Sequence, residues 1–180
     1  MLRKIFIIST ILFVFLFLQC KEVHSTKKVN TRDTSALFSP NGHWIVYIQN
    51  LKLKEEVPLY CEVAITQKQQ STGLMFREQL AQNQCMVFAY KKPQLVSFWM
   101  KSTTLPLTIA YVSVNNTIIE TFNMVPYDES VINSTIATKY AIEVNRNWFR
   151  KNSSFAGTKI RIEKFPNTPI PIEKLFFKDK

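Results

Sequence analysis

From residue 42 to residue 163 the chain is a series of short apolar segments, each ended by a turn or breaker before it reaches helical length. Segments of about four to eight residues rich in Val, Ile, Tyr and Phe are strands, and many of them at short spacing make a sandwich or a barrel. Residues 42–49 and 51–54 give a leading strand or hairpin, and residues 59–65 a second strand introduced by Pro58. Thr66, with Gln69 three residues on, forms a capping box. Gly73 is a natural helix end, so a short helix is predicted over 67–72. Strands follow at 86–90, broken by Lys91-Lys92-Pro93, and at 96–100. Residues 108–114 and 117–122 flank Asn115-Asn116, which tolerates the positive φ of a tight turn, and make the clearest hairpin. A strand at 140–144, a helical turn at 147–151 and a closing strand at 158–163 complete the pattern. The expectation is one mainly β (α+β) domain over 42–165, a compact sandwich or barrel with one or two short helices. A tail holding Pro166, Pro169 and Pro171 follows over 166–180.

The first residues obey different rules. Arg3 and Lys4 precede fourteen residues, 5–18, that are apolar except for Ser9 and Thr10. That length suits the core of a secretory signal and falls short of the ~20 residues that span a bilayer. An uncleaved anchor helix is the alternative, and the polar run over 21–34 argues against it. Cys20 stands at the apolar-to-polar boundary, where it resembles the lipid-accepting cysteine of bacterial lipoproteins. Gln19 departs from the small residue usual there and is similar to the relaxed boxes of spirochaetes. The expected organisation is a signal peptide over 1–19 and a polar tether over 20–41 anchored to membrane lipid through acylated Cys20. This places the protein in the cell envelope, at the outer membrane or the periplasmic face.

Charge narrows the partners. The formal net charge is +10, and without Arg3 and Lys4 the balance is 21 basic against 13 acidic residues, or +8. The basic residues are scattered, with neither an arginine-rich helix nor a basic stripe interleaved with aromatics, so nucleic acid is not the expected partner. Anionic lipid or acidic glycan meets a dispersed basic face through charge alone.

Few residues carry obvious chemistry. His24 and His43 are the only histidines and belong to no HxH or HExxH arrangement. Asp33, Asp128 and Asp179 are the only aspartates, so neither a metal site nor a cofactor is expected. A Ser-His-Asp triad has only His43 to draw on. Glu62, Glu78 and Glu143 are available for acid–base work, but no spacing pairs them. Cys61 and Cys85 begin neighbouring strands, either joined as a disulfide in an oxidising compartment or buried as small apolar thiols. Trp99-Met100-Lys101 is the most suggestive cluster, because alternation sends Trp99 and Lys101 to one face and Met100 to the other. An aromatic plane beside a cation, with Arg77 and Glu78, suits a sugar, a peptide or an anionic head group. The plainer account makes Met75, Phe76, Phe98 and Met100 core and pairs Arg77 with Glu143.

Three segments together resemble one family. Glu62-Val63-Ala64 followed by Gly73-Leu74-Met75-Phe76-Arg77-Glu78 is similar to its EVA…GLMFRE signature. Phe98-Trp99-Met100-Lys101 with Pro106-Leu107 resembles its FWMKNT…PLDI segment, and Ala141-Ile142-Glu143-Val144-Asn145 its VLEVNAG segment. The family is domain-of-unknown-function 192, and the match covers about residues 59–163. The resemblance implies a jelly-roll-like β fold with a short helix after the first strand, and it implies no established activity. Thr108 stands where the family carries Asp, Ser102 where it carries Asn, and Asn115-Asn116 where it carries an Asp/Gly-type turn.

The expected function is a non-enzymatic envelope binding module for a small molecule, glycan or protein partner. Its candidate ligand residues are Arg77, Glu78, Trp99, Lys101, Glu143 and Asn145. The alternative is a hydrolase or transferase of envelope polymers that uses glutamate acid–base chemistry.

Overall fold

Strand pairing organises residues 43–165, the part of the chain that the computed structural model describes. The leader, Cys20, the tether and the C-terminal tail lie outside the described residues, as do His24, Asp33 and Asp179. In chain order the elements are β1 (His43–Asn50), β2 (Glu55–Ala64), α1 (Gln67–Thr72), β3 (Gln84–Gln94), β4 (Ser97–Phe98) and β5 (Leu107–Val112). They continue as β6 (Ile118–Met124), β7 (Ile132–Asn133), β8 (Thr138–Asn145), α2 (Trp148–Lys151) and β9 (Ile160–Phe165). Seven strands form one mixed sheet in the order β6-β5-β8-β3-β2-β1-β9, while β4 and β7 form a separate two-stranded sheet. The one parallel pair in the large sheet is β2–β3, which α1 and its following loop connect.

Local chemistry explains the corners. The Asn50 side chain accepts from the backbone N–H groups of Lys52 (3.0 Å) and Leu53 (2.9 Å), folding 51–54 into the β1–β2 turn. Asn116 has φ 53°, the left-handed conformation that asparagine tolerates, at the β5–β6 turn. The capping box closes at α1: the Gln69 N–H donates to Thr66 Oγ1, and Gln69 Oε1 accepts from the Thr66 N–H at 3.0 Å. One expected strand boundary and one expected break are absent. Pro58 lies inside β2, in a stretch that β3 does not reach, and a strand with one free flank tolerates a missing donor. Pro93 lies inside β3, where the pairing with β8 shifts register between Ala89 and Gln94, and the bulge absorbs the proline. The strand expected over 96–100 shrinks to Ser97–Phe98, because β7 offers only two residues to pair with.

Each face of the large sheet covers its own apolar layer. One layer gathers Val46, Ile48, Leu59, Val87, Ile142, Trp148 and Phe149 with residues from both edge strands. The sheet curls around it. At one end the Ile118 N–H donates to the Thr158 carbonyl (2.9 Å) and the Gly157 N–H to the Ile118 carbonyl (2.8 Å), drawing the edges together. The strands do not close into a barrel, so the sandwich-like arrangement is the one realised. The second layer packs Met86, Phe88, Ile109, Tyr111 and Ala141 under Leu74, Phe98 and Met100, which come from the segments after α1 and around β4. Each such side chain contributes about 1.5–3 kcal/mol when removed from water.

Cys61 and Cys85 lie directly opposite each other in the β2–β3 ladder, and their sulfurs are joined, with Cα atoms 4.4 Å apart. The disulfide closes a sequence separation of 24, which in the chain-entropy picture is worth roughly 3 kcal/mol. Replacing both cysteines with alanine should lower the urea-unfolding free energy of the oxidised protein by about that amount. An unchanged midpoint would show that the bond contributes nothing.

Candidate functional site

β8 runs between β3 and β5, with Glu143 opposite Met86 on one side and Ile109 on the other. Alternation turns Ile142 and Val144 into the first apolar layer and Ala141 into the second, and Glu143 shares the face of Ala141. Its side chain therefore enters an apolar layer and is only 4% exposed. Among the described residues none donates a hydrogen bond to this carboxyl and none pairs with its charge. Removal from water raises its pKa to about 8, because the low dielectric disfavours the charged form.

Glu143 lines a cavity of about 330 Å³ between the sheet and the segments that cover it. α1 forms one wall through Gln67, Gln70, Ser71 and Thr72, and Phe88, Tyr90, Phe98 and Trp99 supply aromatic surface. α1 buries no residue of its own. It is held by its cap and by the Gln70 amide, which donates to the carbonyls of Ala89 (3.1 Å) and Ala64 (3.4 Å). Gly73 (φ 49°) ends the helix against the cavity. A Cβ there would stand 3.2 Å from the Phe88 ring and 3.9 Å from Glu143 Oε2, so a side chain would press on both. Leu95 and Trp99, both exposed, stand at the mouth.

Beside the mouth, backbone bonds tie three loops together. The Phe76 N–H donates to the Ser102 carbonyl (2.9 Å), the Tyr127 N–H to Thr103 (3.2 Å) and the Met100 N–H to Asp128 (2.8 Å). Phe76 (φ 63°), Ser102 (φ 51°) and Tyr127 (φ 61°) all adopt left-handed backbone, which bulky residues rarely do. Phe76 is 75% exposed and Tyr127 64%, so neither is held there by burial of its ring. Strained positions that display aromatic rings to solvent are a feature of binding surfaces.

The residues singled out from sequence separate into different environments. Trp99 and Lys101 are exposed with Met100 buried between them, and Lys101 Nζ lies 5.2 Å from the Trp99 ring centre. Arg77 does not pair with Glu143. Its guanidinium donates to Glu62 Oε2 at 2.7 Å, while its carbonyl accepts from Thr104 Oγ1 at 2.8 Å. Burial raises the Glu62 pKa against the opposing pull of Arg77. Glu62 shares the Glu143 face two strands away, with Met86 between them, or about 9.6 Å across the sheet. Glu62 is not among the cavity-lining residues. Glu78 is exposed. The Asn145 amide donates to the carbonyls of Leu80 (3.0 Å) and Ala81 (2.9 Å) and so fixes the loop before β3.

Thr108 faces the opposite side of the sheet from Glu143. It accepts from the Asn147 N–H (2.9 Å) and donates to Asn123 Oδ1 (2.7 Å), joining β5 to β6 and to the start of α2. The departure from aspartate there does not touch the cavity. Among the described residues no three His, Cys, Asp or Glu side chains converge as metal ligands. Sequence reasoning missed Gln67, Gln70, Tyr90 and Leu95. The one available signal was α1 itself, polar on every face and therefore not packed as core.

A family model, DUF192, described as "Uncharacterized ACR", matches residues 49–162. Among solved structures, a protein from Sinorhizobium meliloti 1021 described as a candidate transcription regulator is 27% identical. It aligns with a TM-score of 0.65 over 69% of this chain and 95% of its own. A protein of unknown function from Novosphingobium aromaticivorans DSM 12444 is 28% identical, with a TM-score of 0.62 over 65% of this chain and 83% of its own. No curated protein matches the chain.

Burial of Glu143 has a consequence for stability. Its native pKa of about 8 lies above the ordinary carboxyl value, so the native state holds a proton that the unfolded state gives up. The associated stability is fully present below about pH 4.3 and is lost as pH rises toward 8, with a slope of at most about 1.4 kcal/mol per pH unit. Glu143→Gln should abolish that slope between pH 5 and 8 in urea titrations of the full chain. Equal slopes for the two proteins would contradict the assignment. Gly73→Ala should cost about 1–3 kcal/mol through its backbone conformation and the contact with Phe88.

Proposed function

Since the chain belongs to the DUF192 family, whose description assigns no activity, we propose from the site itself that this protein is a non-enzymatic binding module for a small organic ligand. One observation carries the reading: a cavity of about 330 Å³ that holds a buried carboxyl with no partner among the described residues. A buried polar group left unmatched costs stability, and a ligand that satisfies it recovers that cost on binding. The walls combine aromatic and aliphatic side chains with the uncharged polar groups of α1, and the volume lies at the small end of the range for small-molecule sites. The aromatic rings displayed at Phe76, Trp99 and Tyr127 extend the surface beyond the mouth and favour a ligand, glycan or peptide with a protruding part.

Hydrolysis of an envelope polymer has less support. Among the described residues one carboxyl lines the cavity, and the neighbouring acid Glu62 is engaged by Arg77. The regulator description of the Sinorhizobium structure is not extended to DNA binding by this chain. The helices of the described residues are six and four residues long, too short to read a major groove. The reading includes an address: acylated Cys20 tethers the domain to an envelope membrane, supported by the apolar run at 5–18 and the polar segment after it.

Saturation-transfer NMR of the full-length protein with a set of small aromatic fragments should detect binding that Trp99→Ala weakens and Glu143→Leu removes. A silent screen, or signals indifferent to both substitutions, would sink the binding reading. Labelled palmitate should be incorporated in cells and lost in Cys20→Ala. An unlabelled protein that retains Met1 would sink the tether.

A further inference from the structure

The cavity also limits the chemistry of its occupant, an inference that rests on the binding reading above. Among the described residues, Glu143 is the one acidic member of the lining, and no Lys, Arg or His lines it. The rest of the described lining consists of aromatic rings, aliphatic side chains and uncharged polar groups. Phe98 meets Phe88 edge-on, with ring centres 4.8 Å apart and planes at 87°, and both rings line the cavity. A carboxylate without a donor attracts positive charge, and aromatic faces attract the same sign through their quadrupoles. An anion is repelled by both. A neutral alcohol or amide satisfies the carboxyl but gains nothing from charge.

We propose that the cavity binds a small organic cation, an ammonium or alkylammonium group on an apolar stem. The positive centre lies against the Glu143 carboxylate and the stem lies along Phe88, Phe98 and Trp99. A bare metal ion is a poor alternative, because hard cations take six or more oxygens and this cavity offers a single carboxylate. Lys101 stands 5.2 Å from the Trp99 ring centre, exposed to solvent. Water screens its repulsion of a ligand cation far more than the interior screens the attraction of Glu143.

Binding of this kind moves a proton. Glu143 holds its proton up to about pH 8 when the cavity is empty. A bound cation therefore displaces that proton to solvent, and the observed affinity rises about tenfold per pH unit until Glu143 ionises unaided. Burial holds Tyr90 of β3 and Tyr111 of β5 above the ordinary phenol value, with Glu143 adding to both shifts. Lys139, on the same face of β8, donates to the carbonyls of Tyr90 (2.8 Å) and Lys91 (3.1 Å). Glu62 of β2 is paired with Arg77, and α1 lines the cavity only with uncharged residues.

The test is calorimetric titration of the full-length protein with three probes alike in shape and different in charge: phenethylammonium, 2-phenylethanol and phenylacetate. Phenethylammonium should bind about tenfold or more tighter than 2-phenylethanol at pH 8. Its affinity should fall with decreasing pH, and at pH 7 its binding enthalpy should depend on the buffer because a proton is released. Glu143→Gln should reduce phenethylammonium affinity by about tenfold or more and remove its advantage over 2-phenylethanol. Equal binding of phenethylammonium and 2-phenylethanol, or a preference for phenylacetate, would overturn the cation assignment while leaving a binding cavity in place. If none of the three binds, the cation assignment falls as well, and the fragment screen alone then decides the binding reading.

Discussion

The central strands of the sheet have no wet side. All six residues of β5 and residues 141–144 of β8 are buried, because one face packs against the Trp148 layer and the other lies beneath the segments after α1 and around β4. Both layers depend on this arrangement, since an apolar side chain on either face of β5 or β8 leaves water entirely. A polar side chain at these buried positions is removed from bulk solvent. Glu143 is placed under this constraint, and its unmatched carboxyl follows from the position of β8 between β3 and β5 rather than from any local feature of the strand.

The covering layer does not fill the space it encloses. α1 is polar on every side and sits on the sheet by its cap and by Gln70, without inserting an apolar side chain. Gly73 lets the backbone turn close to Phe88 and Glu143, and a larger residue there would push into the cavity. Leu74, Phe98 and Met100 are buried and pin the surrounding segments, while Trp99 and Phe76 stay out in solvent. The Gly73–Glu78 and Phe98–Lys101 segments are thus divided residue by residue between structure and display. Arg77 belongs to the structural group, because it is bonded to Glu62 and through its carbonyl to Thr104.

Thr108 and the Cys61–Cys85 bridge illustrate how position settles meaning. A residue type that suggested a lost functional group is a bracket between β5, β6 and α2 on the face away from the cavity. Two cysteines compatible with either a bond or buried thiols face each other across the parallel ladder and are joined. Each outcome depends on strand register, which long-range packing sets.

Much of the fold was legible because its signals are local. The Thr66–Gln69 box, the Gly73 stop, the Asn116 turn and the alternation of β8 each act within a few residues, where steric and hydrogen-bond preferences are strong. Pro93 was misread as a break and Pro58 as the boundary before a strand, because their tolerance depends on which neighbouring strand is missing or bulged, and the chain alone does not show its neighbours. Family membership, too, could be read from GLMFRE, FWMK and the segment around Glu143. The site was legible only in part. Trp99, Lys101 and Glu143 stood out by type, with an ion pair to Arg77 as the plainer account of Glu143, and Gln67, Gln70, Tyr90 and Leu95 carried no mark. By itself the sequence determined the β-rich domain, its turns and its family. The tertiary structure alone decided that Glu143 is buried, that it is unpaired among the described residues, and that a cavity opens over it. The physical reason is that burial and pairing depend on residues far apart in the chain, whereas caps, turns and alternation do not.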